Sequence, residues 1–351
     1  MWRWNRDVEV NPRNLIAKTM NSESVEFEEP IRVLLHEIEI LMQTPQTEKR
    51  KKTIAELRER LESVRSEVYE NLTAWQRVLV ARHPGRPNTL DYVSRLFSNF
   101  TELHGDRAFG DDHAIVCGLA DYRGESIVVV GHQKGGGDTK EKIFRNFGYA
   151  KPEGYRKAIR VMKFAEKFGR PIIALVDTPA AYPGIESEER GVAQAIGYNL
   201  REMAMLTVPI LVVVTGEGGS GGALGLAIGD RILMQEYAIY SVIPPEGCAA
   251  ILWRDASQKA AAAEALKISA KQLFDFGIID EIVPEPKGAA HADPAAAAQM
   301  LDHSLGQEFD KLIRDDPDLR LDNRYEKFRR MGNFGLEGLE SVESDPSVED
   351  N

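Results

Sequence analysis

The stretch from Val208 to Asp230 reads VPILVVVTGEGGSGGALGLAIGD. Its first part, Val208 to Thr215, is a continuous apolar run rich in β-branched residues, which predicts a strand buried on both faces. A glycine-rich loop follows from Gly216, and then a helix that Gly229-Asp230 ends after about two turns. Strand, glycine loop and helix together make the βα unit of layered proteins. Working outward, further strands are predicted at Ala114–Leu119, Ser126–Gly131, Pro171–Asp177, Arg231–Met234 and Ile239–Val242, with a short closing strand inside residues 277–283. Helical periods fall at Glu153–Phe168, Glu188–Leu206 and Ser257–Leu266, and an Ala-rich helix at Pro294–Leu305. The alternation predicts an α/β fold with buried strands.

The N-terminal third has another texture. Residues 1–24 show neither period and are expected to form a loosely ordered extension, with Met20 as a second candidate start. Residues 25–83 are expected to form a helical arm. Ile31, Leu34, Leu35, Ile38, Leu41 and Met42 make one apolar stripe, which Pro45 stops. A second stripe from Ile54 to Leu79 predicts one helix of about 30 residues. Such a hairpin cannot bury both stripes by itself and should pack on the body or on a partner chain. The linker His83-Pro84-Gly85-Arg86-Pro87 opens a domain expected over 88–315, and 316–351 reads as a polar, acidic tail.

The 351 residues carry 44 basic and 55 acidic side chains, a net charge of −11, which argues against nucleic acid as a partner. Six acids lie in the last 16 residues, and the body without them stands at −5. Conversely, Lys140 to Lys163 holds eight basic residues against Glu141 and Glu153, a candidate anion-binding surface or a solvated helix face. Cys117 and Cys248 form neither a disulfide framework nor a cysteine zinc site. No apolar run is long enough for a membrane span, and MWRWNRDVEVNPRN lacks a signal-peptide core, so a cytoplasmic protein with no membrane association is expected.

Chemistry is expected on three loops that follow strands: HQKGGG at 132–137, DTPAAYPG at 177–184 and GEGGSGGA at 216–223. Glycines let backbone amides approach a ligand, and a helix beginning there offers unpaired N–H groups. The third loop fits two other patterns. Gly216-x-Gly218-x-x-Gly221, with Glu236 about 20 residues on, matches a dinucleotide fingerprint, although the helix that follows is short for that fold. Gly218-x-Ser220-x-Gly222 matches a hydrolase nucleophile elbow, with only His291 and His303 downstream to complete a triad. A phosphate-binding P-loop is excluded, because no Lys-Ser/Thr follows the glycines. What remains is a backbone oxyanion hole that needs no side-chain nucleophile. His36, His83, His104, His113 and His132 show no metal-ligand spacing.

Read together, GDRAFGDDHAIVCGLA, HQKGGGDTKEKIFRNFGYAKPEGYRKAIRVMKFAEKF, DTPAAYPGIESEERG, GEGGSGGALGLAIGDRI and YSVIPPEGCAAILW resemble the alpha-subunit family of the acetyl-coenzyme A carboxylase carboxyltransferase. The resemblance runs in order from about Phe27 to about Leu312. It implies a crotonase-type spiral of ββα units carrying an N-terminal α-helical hairpin arm. It also implies an α2β2 complex with a zinc-bearing beta subunit, working with the biotin carboxyl carrier protein and, in the larger assembly, biotin carboxylase. The implied reaction moves a carboxyl group from carboxybiotin to acetyl-CoA, giving malonyl-CoA for fatty acid synthesis. Carboxybiotin supplies both CO2 and the base, so the protein positions the reactants and stabilises oxyanions. By the family pattern the amides of Ala180, Ala181, Gly221 and Gly222 would face the biotin ureido oxygen; the basic run, through Lys151, Arg156 and Arg160, is expected from its charge to meet phosphates or the carrier. Two departures stand out. Ala180 replaces the first glycine of DTPGAYPG, keeping the amide but disfavouring positive φ. HQKGGGDTKEK is longer than HQKGRxTKEK and has lost a positive charge. Besides the hydrolase reading through Ser220, a non-catalytic scaffold that houses no chemistry is the alternative.

Overall fold

The computed structural model describes residues 26–332 apart from Gln46 and Gly137; the expected N-terminal extension and most of the acidic tail lie outside the described residues. One mixed eight-stranded sheet organises the body. Strands β1 (Ser98–Glu102), β2 (Ile115–Tyr122) and β3 (Glu125–His132) form an antiparallel meander. Parallel strands β4 (Ile172–Thr178), β5 (Ile210–Gly219), β6 (Arg231–Gln235) and β8 (Glu281–Val283) extend it, and short β7 (Ile239–Ser241) pairs with the upper end of β5. β4 is buried along its whole length, as a near-continuous apolar strand in a covered parallel sheet requires.

The central strand is longer than its sequence predicts. Gly216 to Gly219 stay in β5, with Glu217, Gly218 and Gly219 opposite Ile239, Tyr240 and Ser241. Below that point β5 pairs with β6, so the strand changes neighbours as it rises. Glycine permits the change: a Cβ on Gly218 would meet the Tyr240 ring, and one on Gly216 the Asp177 carboxylate. Two helical layers close the sheet. Helix α6 (Pro152–Lys167) and α8 (Val192–Met205) cover one face through Tyr155, Met162 and Met203. Helix α4 (Thr89–Leu96) and α14 (Pro294–Leu312) cover the other through Tyr92, Leu305 and Phe309.

The arm departs from the single long helix that its stripe predicts. Helix α1 (Glu29–Met42) packs on α2 (Glu48–Glu70), but the chain breaks at Asn71–Thr73 before α3 (Ala74–Ala81) begins. Thr73 Oγ1 accepts from the Gln76 N–H at 3.2 Å, while the Gln76 side chain accepts from the Thr73 N–H at 2.8 Å. That capping box starts a new helix where periodicity alone reads continuity. The predicted helix over 188–206 likewise splits at Gly191, whose φ of +77° a following helix cannot absorb. The arm is not a free spacer, since Ile54, Leu61, Tyr69 and Val80 form one cluster with Tyr237 and Ala289 of the body. Nor is the linker loose: Arg86 is buried and bonds both oxygens of Glu285, at 2.9 and 2.6 Å.

Beyond Asp316 the chain forms helix α15 (Pro317–Arg330) rather than a purely polar tail. Its Arg324 is almost wholly buried, holds both oxygens of Asp230 at 2.8 and 2.9 Å, and donates to the carbonyls of Met203, Leu206 and Val208. Removing one partner of a buried pair strands the other charge, so Arg324→Ala is expected to cost about 3–5 kcal/mol, read as a shift in the urea midpoint.

Candidate active site

The three glycine loops converge above the ends of β3, β4 and β5, joined by a buried ion network. Lys134, two residues past β3, places its ammonium 2.7 Å from Asp177 Oδ1 and 2.8 Å from Glu217 Oε2. Asp177 lies at the root of the DTPAAYPG loop and Glu217 at the root of the GGSGGA loop. Asp177 Oδ1 also accepts from the Glu217 N–H at 2.8 Å. Arg82, at the end of α3, grips Glu217 at 2.6 Å and Glu246 at 2.6 Å. Burial would push the Glu217 carboxyl up, but Arg82 and Lys134 outweigh it and pull it down to about 2. Burial would likewise strip Lys134 of its proton, and the facing Asp177 and Glu217 instead hold its pKa above the ordinary value.

Above this network the second and third loops touch backbone to backbone. A Cβ added to Gly219 would fall on the Pro179 carbonyl, and one added to Gly222 on the peptide joining Ala180 to Ala181. Gly221 faces outward, its nearest neighbour being the tip of Ile196 at 3.8 Å. Helix α9 (Ser220–Leu224) begins here with no side chain capping it, so the Gly221 and Gly222 amides have no partner of the capping kind. On the facing loop the Ala180 N–H donates to Thr178 Oγ1 at 3.2 Å and the Tyr182 N–H to the Ala150 carbonyl at 2.9 Å. Between them, the Ala181 N–H has no acceptor among the described residues. Of the four expected residues the structure presses Gly222 against the Ala180–Ala181 peptide, with Gly221 next to it in the chain, and the Ala180 N–H is engaged by Thr178. Ala180 is absent from the positive-φ residues, so its Cβ brings no backbone strain.

Ser220 does turn sharply, at φ +51°, in the manner of an elbow. However, both histidines that a triad would need are engaged elsewhere. His291 bonds Glu28 and Tyr69, and His303 pairs with Gln307 on α14. His132 is fully buried, and burial drives it down to about 3, leaving a neutral ring. The hydrolase reading therefore lapses.

Comparison with known proteins agrees with this geometry. The family model described as "Acetyl co-enzyme A carboxylase carboxyltransferase-like" matches residues 24–332. The chain belongs to this family. It is 54% identical over 311 residues to the acetyl-coenzyme A carboxylase carboxyl transferase subunit alpha of Geobacter metallireducens, covering 88% of this chain and 98% of that one. The subunit of the same name from Geobacillus thermodenitrificans is 53% identical, with 88% and 95% covered. Among solved structures, a transcarboxylase 12S superposes with a TM-score of 0.50 at 20% identity, covering 64% of this chain and 44% of that one. A Pseudomonas malonate decarboxylase hetero-tetramer in complex with coenzyme A gives 0.50 at 16%, covering 67% and 90%. These two share the fold, which is of the crotonase type as the sequence resemblance implies.

Within this carboxyltransferase-like chain the basic run serves an internal purpose. Arg156 bonds Asp106 at 2.8 Å and Glu153 at 3.1 Å, and Arg160 donates to the carbonyls of Gly105 and His104. Lys157, buried, holds Asp111 at 2.6 Å and the Asp112 carbonyl at 2.8 Å. These three residues of the run fasten the acidic loop of residues 104–112 onto α6 through partners some fifty residues upstream, outside any local charge count. Only Lys151, of the three expected anion contacts, borders the amide-bearing loop; its ammonium sits 4.9 Å over the Tyr182 ring and 3.6 Å from Glu186.

One further polar cluster lies apart, where the arm meets the body. Glu28 accepts from Tyr69 and lies 3.1 Å from His291 Nε2 and 3.8 Å from His83 Nε2. The His83 Nδ1 accepts from the Gly85 N–H at 3.1 Å, which puts the ring proton on Nε2, the nitrogen that a metal would need. The rings of His83 and His291 stack at 3.7 Å, whereas two ligands of one ion must diverge. The cluster is a hydrogen-bonded clasp for the arm. Its members come from residues 28, 83 and 291, so no sequence spacing reveals it.

The loop contact sets an asymmetry between two neighbouring glycines. Gly222→Ala must force the loops apart and is expected to cost about 1–3 kcal/mol. Gly221→Ala meets open space at a helical position and is expected to be neutral or stabilising by up to about 1 kcal/mol, with urea unfolding of both variants as the check.

Proposed function

We propose that this chain is the alpha subunit of an acetyl-CoA carboxylase carboxyltransferase. It would transfer the carboxyl group of carboxybiotin, presented on a biotin carboxyl carrier protein, to acetyl-CoA to form malonyl-CoA. The observations that support it are the contact of Gly222 with the Ala180–Ala181 peptide, the Ala181 N–H without an acceptor among the described residues, and the uncapped start of α9 at Gly221 and Gly222. Carboxybiotin supplies the activated carboxyl group. The cradle's donors are neutral, and the open side of Gly221 leaves room beside them for a small oxygen acceptor. In this reading the three amides hold the biotin ureido oxygen and favour negative charge there, while Ala180 shapes the loop and its own N–H stays with Thr178. Losing one such donor costs on the order of 3 kcal/mol in a barrier. Lys151 lies at the mouth and would meet a phosphate or the carrier. Arg156 and Arg160 are spent on Asp106, Glu153 and backbone carbonyls, so the proposal leaves them in a supporting role.

The reading includes an α2β2 assembly in the cytoplasm with a beta subunit that carries the zinc and most of the acyl-CoA contacts, and biotin carboxylase in the larger complex. Among the described residues no helix is long and apolar enough to cross a membrane. Exposed apolar side chains on α10 (Pro245–Trp253), Ile251, Leu252 and Trp253, suit burial by such a partner. The test is co-expression with a candidate beta subunit and assay of malonyl-CoA decarboxylation in the presence of biocytin. Activity from the pair and none from this chain alone is expected. A pair that forms but keeps full turnover when Gly222 is replaced by a bulky residue would favour the scaffold reading, and no complex would overturn the assignment.

A further inference from the structure

The side chain of Lys134 occupies the one place where the three loops meet. It is itself a residue of the first loop, and its ammonium bridges Asp177 of the second and Glu217 of the third at 2.7 and 2.8 Å. Three residues follow Asp177 before Ala181, and three follow Glu217 before Gly221. Each carboxylate is therefore the fixed root of one arm of the amide cradle. Neither root is free to drift independently, because Asp177 accepts from the Glu217 amide and Arg82 holds the far oxygen of Glu217. The lysine stem is confined as well. Gly148, at φ +80°, packs so closely that a Cβ there would lie 2.7 Å from Lys134 Cγ. The ammonium thus acts as a spacer of fixed length instead of a mobile counter-ion.

We propose that Lys134 is a positioning residue for carboxyl transfer, its ammonium setting the separation between the Ala181 amide and the Gly221 and Gly222 amides. The inference rests on the function proposed above and adds the device that holds its cradle in register. A cation that only neutralised two buried acids would matter to stability and leave the rate of each folded complex unchanged. A spacer makes the rate depend on it while substrate binding persists, because displacement by about an ångström costs on the order of a hundredfold in rate.

The discriminating variant is Lys134→Met, which keeps the stem and deletes the charge, assayed as the full complex with the beta subunit. The expected result is a kcat per folded complex lower by on the order of a hundredfold, with KM for malonyl-CoA within about twofold of wild type. Because two buried carboxylates then share no cation, the single variant is paired with Lys134→Met/Asp177→Asn, which removes one buried charge of each sign and leaves Glu217 on Arg82. The same fall in kcat is expected there. Wild-type kcat in either folded variant, or a rise in KM with kcat unchanged, would overturn the positioning role. A wild-type pair without activity would instead overturn the function on which the inference rests, and the two failures are told apart by that control.

Discussion

Two strands of backbone pressed together without side chains between them govern this molecule. The peptides around Pro179 and Ala181 lie against Gly219 and Gly222 at a separation that no Cβ tolerates. Much else in the body can be understood as support for that contact. β4 and β5 run parallel beneath it, in register from Ile172 opposite Ile210 to Val176 opposite Val214, and the register shifts before Thr178 meets Gly218. Their tips carry Asp177 and Glu217, two acids whose burial is tolerable only because Lys134 and Arg82 stand between and beside them. In the function proposed here the work falls to peptide N–H groups, which carry no pKa to tune and need only be aimed.

The arm is tied into the same system. Arg82 closes helix α3 and reaches Glu217 and Glu246 together, so the last turn of the arm touches the root of the third loop. The next residues bring His83 to the Glu28 clasp and Arg86 into the body beside Glu285. The Pro-Gly linker that marks the domain boundary is thus anchored on both sides of its exposed Pro84-Gly85 turn. At the opposite end of the fold, Arg324 fixes α15 over Asp230, whose carboxylate also accepts from the Ile210 N–H at the foot of β5.

The strands were legible because β-branched apolar runs have few other uses, and β2 to β6 fall within a few residues of their expected places. The upper part of β5 was not, since Gly216 to Gly219 read as loop when their pairing with β7 depends on residues twenty positions on. Short β1 and helix α4 carry no clean period and went unread. The long arm helix was overextended because a hydrophobic stripe continues across Thr73 while the capping box interrupts the backbone. In the candidate site, the motifs name the loops, but that the Ala180 N–H is engaged by Thr178 Oγ1 is visible only in the folded chain. Charge along the sequence does not reveal the partners of the basic run: Asp106 engages Arg156, Asp111 engages Lys157, and the Gly105 and His104 carbonyls engage Arg160.

The most direct measurement is a crystal structure of the complex of this chain with its beta subunit and biocytin. The ureido oxygen is expected within about 3 Å of the Ala181 nitrogen and of the Gly221 or Gly222 nitrogen, with the Ala180 amide still bonded to Thr178. A ureido oxygen held by side chains elsewhere, with those amides left to water, would contradict the oxyanion-hole account.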